Sequence, residues 1–199
     1  MNFFQYLNQL QPFSFTDLSN QKTFSQKLFY CRKHLKELAK GSARVVFDFD
    51  SSVIKIAKNQ KGIEQNQVEI AIGLTKPDCV PNLISFDDNN SWSVFEKVDT
   101  ITKEEFEELS QTTLPKLHDV LKYKKDRIRK NIEIDYKKEQ QIQNNKLLNE
   151  LAGLIENFNL SVGDMVRISS WGKKNGKVLL IDFGLTSDIY KKYYKNVGL

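Results

Sequence analysis

The chain has 199 residues, of which 40% are hydrophobic and 11% aromatic. That length and composition suffice to bury a core in one domain or one two-lobed domain, and they exclude global disorder. The formal net charge of +5 permits a polyanionic partner without requiring one. The two cysteines and two histidines are isolated in the sequence, which argues against a structural zinc site.

The first segment, residues 1–40, is predicted to be a helical extension. Thr23 is placed to cap a helix, and Gly41 stands where a helix commonly ends. Apolar residues recur between them at helical spacing, at Phe24, Leu28, Cys31 and Leu35. Residues 1–7 lack the basic start of a signal peptide, and no segment approaches the roughly 18 apolar residues of a membrane span. We therefore expect a cytoplasmic protein with no membrane partner.

Residues 41–98 are predicted to form two hairpins around one helix, an α+β arrangement. The strands are expected at residues 45–47 and 53–57, then at 79–86 and 92–98, with the helix over 61–72. Lys55 lies within an apolar strand, where it either sits on an edge or faces an anion. Glu69 is either an exposed helix side chain or the partner of Lys55.

Residues 99–158 are predicted to be helical. Thr102 and Glu105 form a capping-box pattern. A long helix is then indicated by a stripe of Leu117, Leu121, Ile128, Ile132 and Tyr136. Eight lysines or arginines and three acidic residues lie between residues 122 and 138. Residues 147–158 show the pattern of an amphipathic core helix.

The last part of the chain contains a buried strand that ends in Asp182-Phe183-Gly184. Residues 159–172 are predicted to be a loop, and Asn175-Gly176 suits a type I′ hairpin turn. Residues 178–181 are all aliphatic, which is typical of a strand covered on both faces. A carboxylate at the end of such a strand is well placed to hold a metal ion, although an ordinary turn is the simpler reading. A short helix is expected after Ser187.

The order of these parts resembles the protein-kinase-like fold, over about residues 41–190. The segments that carry the likeness are residues 41–44, 53–57, 61–69, 163–164, 170–172 and 181–186. More narrowly, the chain resembles the very small kinase-like proteins encoded by bacteria and their phages. The resemblance implies a two-lobed α+β fold, with a β-rich N-lobe plus one helix (41–98) and a truncated helical C-lobe (99–199).

The resemblance also implies a site for ATP and Mg²⁺. Lys55 would contact the nucleotide phosphates and be oriented by an ion pair with Glu69. Asp182 would hold Mg²⁺, because a hard cation prefers carboxylate oxygen. Gly41 and Ser42 would bring backbone amides over the phosphates.

Three further positions follow from the same resemblance. Backbone groups of Glu96 and Val98 would hydrogen-bond adenine as a hinge. Asp164 would orient the attacking hydroxyl. Ser169 stands five residues after Asp164, where the family has an asparagine that binds a second Mg²⁺, and is a poorer metal ligand.

The chain departs from the family pattern in several places. Gly41 is the one glycine of its loop, and Val162-Gly163-Asp164 replaces His-Arg-Asp. No Ala-Pro-Glu segment follows Gly184, after which 15 residues remain. These departures weaken an assignment to protein-substrate phosphorylation more than an assignment to nucleotide binding.

Three functions are therefore compared. The first is a kinase-like phosphotransferase acting on a protein or small-molecule hydroxyl. The second is a pseudokinase-like module, such as a phage-encoded effector, that binds a host or viral protein. The third is nucleic-acid binding through the basic segment 122–138, although such a segment more often marks a solvated helix face.

Overall fold

The computed structural model describes residues 12–195 and divides the chain into two compact units. Among the described residues, 12–66 and 84–97 form the first unit, and 67–83 and 98–195 form the second. Residues 1–7, considered above for a signal peptide, lie outside the described residues. Within the described range, no helix has both the length and the apolar character needed to cross a membrane.

Among the described residues, the first unit contains two whole helices and a five-stranded sheet, with strand order β1-β2-β3-β5-β4. Its elements are α1 (Phe15–Asn20), α2 (Phe24–His34), β1 (Glu37–Lys40), β2 (Arg44–Phe49), β3 (Ser52–Ala57), β4 (Leu83–Phe86) and β5 (Trp92–Glu96). The pairs β1–β2, β2–β3 and β3–β5 are antiparallel. Leu18, Leu28 and Cys31 of the helices pack with buried sheet residues to form the core. Both predicted hairpins and the mixed α+β class are confirmed.

The prediction of a helical extension running to Gly41 is wrong at its end. Helix α2 starts as expected, with Thr23 in a capping box with Gln26, but it stops at His34. Residues Glu37–Lys40 then form strand β1. All four strand residues are exposed, so backbone pairing with β2 holds the strand and no apolar pattern marks it in the sequence. Gly41 lies in the turn after this strand, where its N–H donates to the Arg44 carbonyl at 2.9 Å.

Helix α3 (Gln60–Leu74) matches the predicted helix and contributes to both units. Its residues 60–66 group with the first unit and residues 67–74 with the second. The start of the helix depends on Gly62, because a Cβ atom there would lie 2.3 Å from the Ala43 carbonyl oxygen. The helix therefore begins in close contact with the β1–β2 turn.

The second unit is mainly helical and contains a three-stranded sheet of order β6-β7-β8. Its elements are β6 (Asp99–Thr100), α4 (Lys103–Ser110), α5 (Leu114–Lys130), α6 (Tyr136–Asn144), α7 (Lys146–Phe158), two 3₁₀ turns (Val162–Val166 and Ile168–Ser170), β7 (Trp171–Lys174), β8 (Lys177–Leu180) and α8 (Ser187–Tyr193). The capping box of Thr102 and Glu105 is confirmed. Asn175 and Gly176 have φ values of 50° and 72°, as a type I′ turn requires.

The single long helix predicted from Leu117 to Tyr136 is wrong. Helix α5 ends at Lys130, where Asn131 adopts a left-handed conformation with φ of 49°. Helix α6 starts again at Tyr136, with the Asp135 side chain as its N-cap. Leu117 and Leu121 are buried, but Ile132 and Tyr136 are 40% and 80% exposed. The apparent stripe therefore joins two helices that these capping residues separate.

Candidate functional site

Asp182 follows a buried strand held by backbone hydrogen bonds on both sides. Leu180 is fully buried, and its N–H donates to the Cys79 carbonyl at 2.8 Å. The Ile181 N–H donates to the Ser170 carbonyl, also at 2.8 Å. Asp182 is exposed, whereas Phe183 is buried. The carboxylate is thus presented toward solvent from a fixed backbone.

Glu69 is tied directly to the Asp-Phe-Gly turn. Its carboxylate is fully buried and accepts a hydrogen bond from the backbone N–H of Phe183 at 3.0 Å. The reading of Glu69 as an exposed helix side chain is therefore wrong. Helix α3 and the Asp182 turn are far apart in sequence, so this contact fixes two of the predicted site elements against each other within the second unit.

The segment that contains Asp164 forms two short 3₁₀ turns. The Asp164 side chain lies 3.5 Å from the Arg167 guanidinium, and Ser169 is exposed. The Trp171 indole N–H donates to the Met165 carbonyl at 2.8 Å, which anchors the turns to β7. The predicted loop over residues 159–172 is thus an ordered structure with its own internal contacts.

Backbone hydrogen bonds join the Asp164 segment to the residues that follow Asp182. The Ser161 N–H donates to the Leu185 carbonyl at 2.7 Å, and the Ser187 N–H donates to the Asn159 carbonyl at 2.9 Å. Together with the Ile181–Ser170 bond, these contacts place the two segments side by side. The second unit therefore brings together Glu69, the Asp182 turn and the segment of Asp164.

Lys55 lies in the first unit, on the central strand β3, and is only 6% exposed. Strand β3 pairs with β2 on one side and β5 on the other, so the edge-strand reading of Lys55 is wrong. The ammonium nitrogen lies 4.8 Å from the centroid of the Phe95 ring, a cation–π distance. The neighbouring Ser93 hydroxyl is buried and has no hydrogen-bond partner among the described residues. The ion pair of Lys55 with Glu69 remains a prediction.

The β1–β2 turn is surrounded by side chains that follow strand β3. The Lys58 ammonium donates to the Gly41 carbonyl at 2.8 Å, and the Lys61 ammonium donates to the Ser42 hydroxyl at 3.0 Å. The Asn59 side chain donates to the Ser42 carbonyl at 3.2 Å. Neither lysine was predicted as part of the site, although the basic cluster directly after the strand of Lys55 was a signal in the sequence.

The predicted hinge residues lie where the chain passes from the first unit to the second. Glu96 ends strand β5, opposite Ser52. The Lys97 ammonium forms an ion pair with Asp48 at 2.6 Å. Val98 belongs to the second unit, where it limits the space at Gly172, since a Cβ atom on Gly172 would lie 2.4 Å from a Val98 methyl carbon.

The residues of the site fit a nucleotide-associated Mg²⁺ better than a metal held by protein alone. Among residues 12–195, no group of three or more His, Cys, Asp or Glu side chains is arranged to hold a metal ion. Mg²⁺ is commonly bound through one or two carboxylates together with substrate phosphates and water. An exposed Asp182 on a fixed backbone suits that second arrangement.

The two cysteines of the chain are free and buried. Burial raises the pKa of the Cys31 thiol to about 12, and burial, with a smaller contribution from Glu150, raises the pKa of Cys79. Because the thiolate is the reactive form of cysteine, neither thiol is suited to act as a nucleophile at neutral pH.

Comparison with known proteins gives a likeness to solved structures, among them two complexes of APH(2")-IIa. No family model matches the chain, and no curated protein matches it. The streptomycin–ATP–APH(2")-IIa ternary complex matches with a TM-score of 0.38 and 14% identity, covering 91% of this chain and 70% of that chain. The gentamicin–APH(2")-IIa complex matches with a TM-score of 0.40 and 16% identity, covering 91% and 68%. Likeness at this level carries no weight for the activity of this chain, which depends on the geometry described above.

Proposed function

We propose that this chain is a kinase-like protein that binds ATP together with Mg²⁺. The observation that supports the proposal most is the hydrogen bond from the Phe183 N–H to the buried Glu69 carboxylate. It connects a helix glutamate with an Asp-Phe-Gly turn that follows a buried strand. This combination of elements, rather than any one motif, distinguishes the site from an ordinary strand end.

In this proposal some of the charged residues bind the phosphates directly, and others bind them through Mg²⁺. Lys55 contacts the phosphate oxygens as a cation on a rigid central strand, and Glu69 orients it. Asp182 and, more weakly, Ser169 are the residues that would hold Mg²⁺. A bound Mg²⁺ supplies charge neutralisation at the phosphates.

The uncharged contacts are assigned to backbone groups. Gly41, whose N–H donates to the Arg44 carbonyl, shapes the turn, and Ser42 offers its backbone amide to the phosphates. The nearby Lys58 and Lys61 add positive charge to that turn. Backbone groups of Glu96 and Val98 hydrogen-bond the adenine ring. Backbone contacts to the phosphates and to adenine depend on the position of the main chain and not on the type of side chain. They can therefore form in a loop whose one glycine is Gly41.

We further propose that Asp164 orients a hydroxyl for transfer of the γ-phosphoryl group from ATP. The acceptor is a small-molecule or protein hydroxyl. Asp164 belongs to a segment joined by backbone hydrogen bonds to the residues after Asp182, as its role requires. A cytoplasmic location and a host or viral protein partner remain predictions.

ATP-dependent thermal stabilisation tests the binding part of this proposal. A ligand that binds only the folded state raises the melting temperature by mass action. We expect ATP with Mg²⁺ to stabilise the wild-type chain and the control Lys40→Met, in which an exposed strand lysine is removed. Lys55→Met should lose the stabilisation, and an unchanged shift in that variant would exclude the assigned role of Lys55.

A catalytically impaired, pseudokinase-like module is the second candidate. The ion pair of Asp164 with Arg167 and the serine at position 169 favour it, because both weaken the catalytic segment. Transfer of a labelled γ-phosphoryl group distinguishes the two candidates. An active enzyme should lose transfer on Asp164→Asn, whereas stabilisation by ATP without any transfer would favour the impaired module.

Nucleic-acid binding through residues 122–138 is not favoured by the structure. Four of the eight cations of this segment form ion pairs: Lys124 with Glu156, Arg127 with Glu139, Lys130 with Asp126 and Lys138 with Asp119. A fifth, Lys125, donates to the Leu160 carbonyl. Most of the charge is thus already engaged within the second unit.

A further inference from the structure

The segment of Asp164 and the residues that follow Asp182 meet at an antiparallel bridge between Leu160 and Thr186. Leu160 lies four residues before Asp164, and Thr186 lies four residues after Asp182. Both bridge residues are buried. A shift of one segment past the other at this bridge would therefore change the distance between the two proposed site residues.

The bridge does not use the carbonyl of Leu160. Its two hydrogen bonds run from the Ser161 N–H to the Leu185 carbonyl and from the Ser187 N–H to the Asn159 carbonyl. In an antiparallel pair with this pattern, the carbonyl of the central residue points away from the partner strand. Leu160 is fully buried, so its carbonyl needs a hydrogen-bond donor from another part of the protein.

Lys125 of helix α5 supplies that donor. Its side chain is half-buried, and its ammonium donates to the Leu160 carbonyl. Lys124 and Arg127 of the same helix instead pair with carboxylates, so Lys125 differs from its neighbours in binding the main chain. A hydrogen bond from a charged donor is stronger than one between neutral groups. The contact therefore attaches the bridge to helix α5.

Helix α8 is attached to the same bridge. Thr186 is the N-cap of this helix, and its hydroxyl accepts from the Ile189 N–H at 3.2 Å. The Asn159 side-chain amide donates to the Asp188 carboxylate at 3.2 Å. The bridge is thus connected to two helices of the second unit, and the connection to α5 is made by the side chain of Lys125.

From these contacts we infer that Lys125 is a positioning residue, which fixes the segment of Asp164 against the residues that follow Asp182. It acts on Asp164 through the Leu160 carbonyl and contacts neither the nucleotide nor the acceptor. The inference rests on the proposed function, in which Asp164 orients the attacking hydroxyl. Because the rate of a reaction falls steeply when an orienting group is displaced, loss of the Lys125 donor should lower turnover without weakening ATP binding.

Amide hydrogen exchange at pH 7 tests the structural part of the inference without any ligand. Lys125→Met keeps the apolar stem of the side chain and leaves the buried Leu160 carbonyl without its donor. The N–H groups of Ser161 and Ser187 should then exchange about tenfold faster, because the bridge opens more easily. Lys122→Met, which removes an exposed lysine of the same helix, should leave both exchange rates unchanged. Unchanged exchange in Lys125→Met would overturn the inference.

Turnover of γ-labelled ATP tests the catalytic part, with water as the acceptor, so that a water oxygen bonds to the γ-phosphorus and ADP leaves. Lys125→Met should lower kcat by about tenfold or more, while the KM for ATP and the stoichiometry of ATP binding stay at their wild-type values. Lys125→Arg keeps a charged donor and should recover most of kcat. A wild-type kcat in Lys125→Met would overturn the positioning role.

The two measurements separate failure of this inference from failure of the proposed function. Absence of turnover in the wild type would contradict the proposed phosphotransferase and the catalytic role of Lys125 together, and hydrogen exchange would then decide whether Lys125 fixes the bridge. Turnover in the wild type with equal losses in Lys125→Met and Lys122→Met would overturn the inference alone. A lower stoichiometry of ATP binding in Lys125→Met would show a loss of folded protein and would also overturn it.

Discussion

Glu69 shows what a single buried carboxylate does in this molecule. It is fully buried, and burial of a charged group is costly unless hydrogen bonds or ion pairs compensate. One compensating bond comes from the Phe183 N–H. The residue therefore has a structural role that can be measured without any ligand, in addition to the role proposed in orienting Lys55.

Replacing Glu69 should destabilise the fold. In Glu69→Ala the Phe183 N–H loses its acceptor inside the protein, which costs about 1–3 kcal/mol for a buried group. Glu69→Gln keeps a side-chain oxygen and should cost less. Urea unfolding measures both, with Gln67→Ala on the exposed side of the same helix as the control. A free energy of unfolding for Glu69→Ala equal to that of the control would contradict this reading of the contact.

Lys125 gives a prediction about pH. Its ammonium donates to the Leu160 carbonyl, and burial, with a smaller contribution from Arg129, lowers its pKa from 10.5 to about 8. Between these two values the unfolded chain holds a proton at Lys125 that the folded chain has lost. The contribution of Lys125 to the free energy of unfolding must therefore rise with pH across this window.

The measurement is the difference in unfolding free energy between wild type and Lys125→Met at several pH values from 7 to 10. We expect the free energy of unfolding of the wild type to increase relative to that of Lys125→Met as the pH rises. Lys122→Met, which removes an exposed lysine of the same helix, is the control and should follow the wild-type pH dependence. A difference that stays constant for Lys125→Met would contradict the assigned burial of its ammonium.

At the scale of elements, two helical glycines differ in the space around them, so their replacement by alanine should have opposite effects on stability. A Cβ atom on Gly62 would clash with the Ala43 carbonyl oxygen, whereas a Cβ atom on Gly153 in α7 would meet nothing within 4 Å. Gly62→Ala should therefore destabilise the fold by about 1–3 kcal/mol through overpacking. Gly153→Ala should stabilise it by about 0.5–1 kcal/mol, because alanine is the better helix former.

Chemical unfolding of the two alanine variants checks this pair of predictions. Each variant changes one hydrogen into a methyl group within a helix, so the comparison isolates the close approach at Gly62. Equal effects in both variants would show that helix α3 can move away from the β1–β2 turn without cost.

The elements that the sequence predicted well are those with strong local signals. The Thr102 capping box and the Asn175-Gly176 turn are each marked by a specific pair of residues, and the strand before Asp182 is marked by a continuous aliphatic run. Strand β1 has no such signal, since all its side chains are exposed and only pairing with β2 defines it. The long helix through residue 136 was mispredicted because apolar spacing continued across the stop at Asn131.

The candidate site was only partly predictable, for a related reason. Asp182 and Glu69 could be proposed from their places on a strand end and a helix. Their actual connection runs through a backbone N–H of Phe183, which no side-chain pattern reveals. The lysines at positions 58 and 61 contact the β1–β2 turn only because β3 and α3 fold back on that turn.

At the scale of the whole molecule, the chain divides into two compact units, and the proposed ATP-binding residues are distributed over both. Gly41, Ser42, Lys55 and Glu96 belong to the first unit, and Glu69, Val98, Asp164, Ser169 and Asp182 belong to the second. ATP binding is therefore the property on which the functional proposal depends most.

The most direct measurement is the affinity for ATP with and without Mg²⁺, determined by calorimetry for wild type, Asp182→Asn and Asp50→Asn. Asp50→Asn is the matched control, because Asp50 is an exposed turn residue with positive φ, a conformation that asparagine tolerates. We predict that Mg²⁺ strengthens ATP binding by about tenfold or more in wild type and the control, but not in Asp182→Asn. ATP binding that is absent from wild type, or that responds to Mg²⁺ equally in all three proteins, would contradict the proposal.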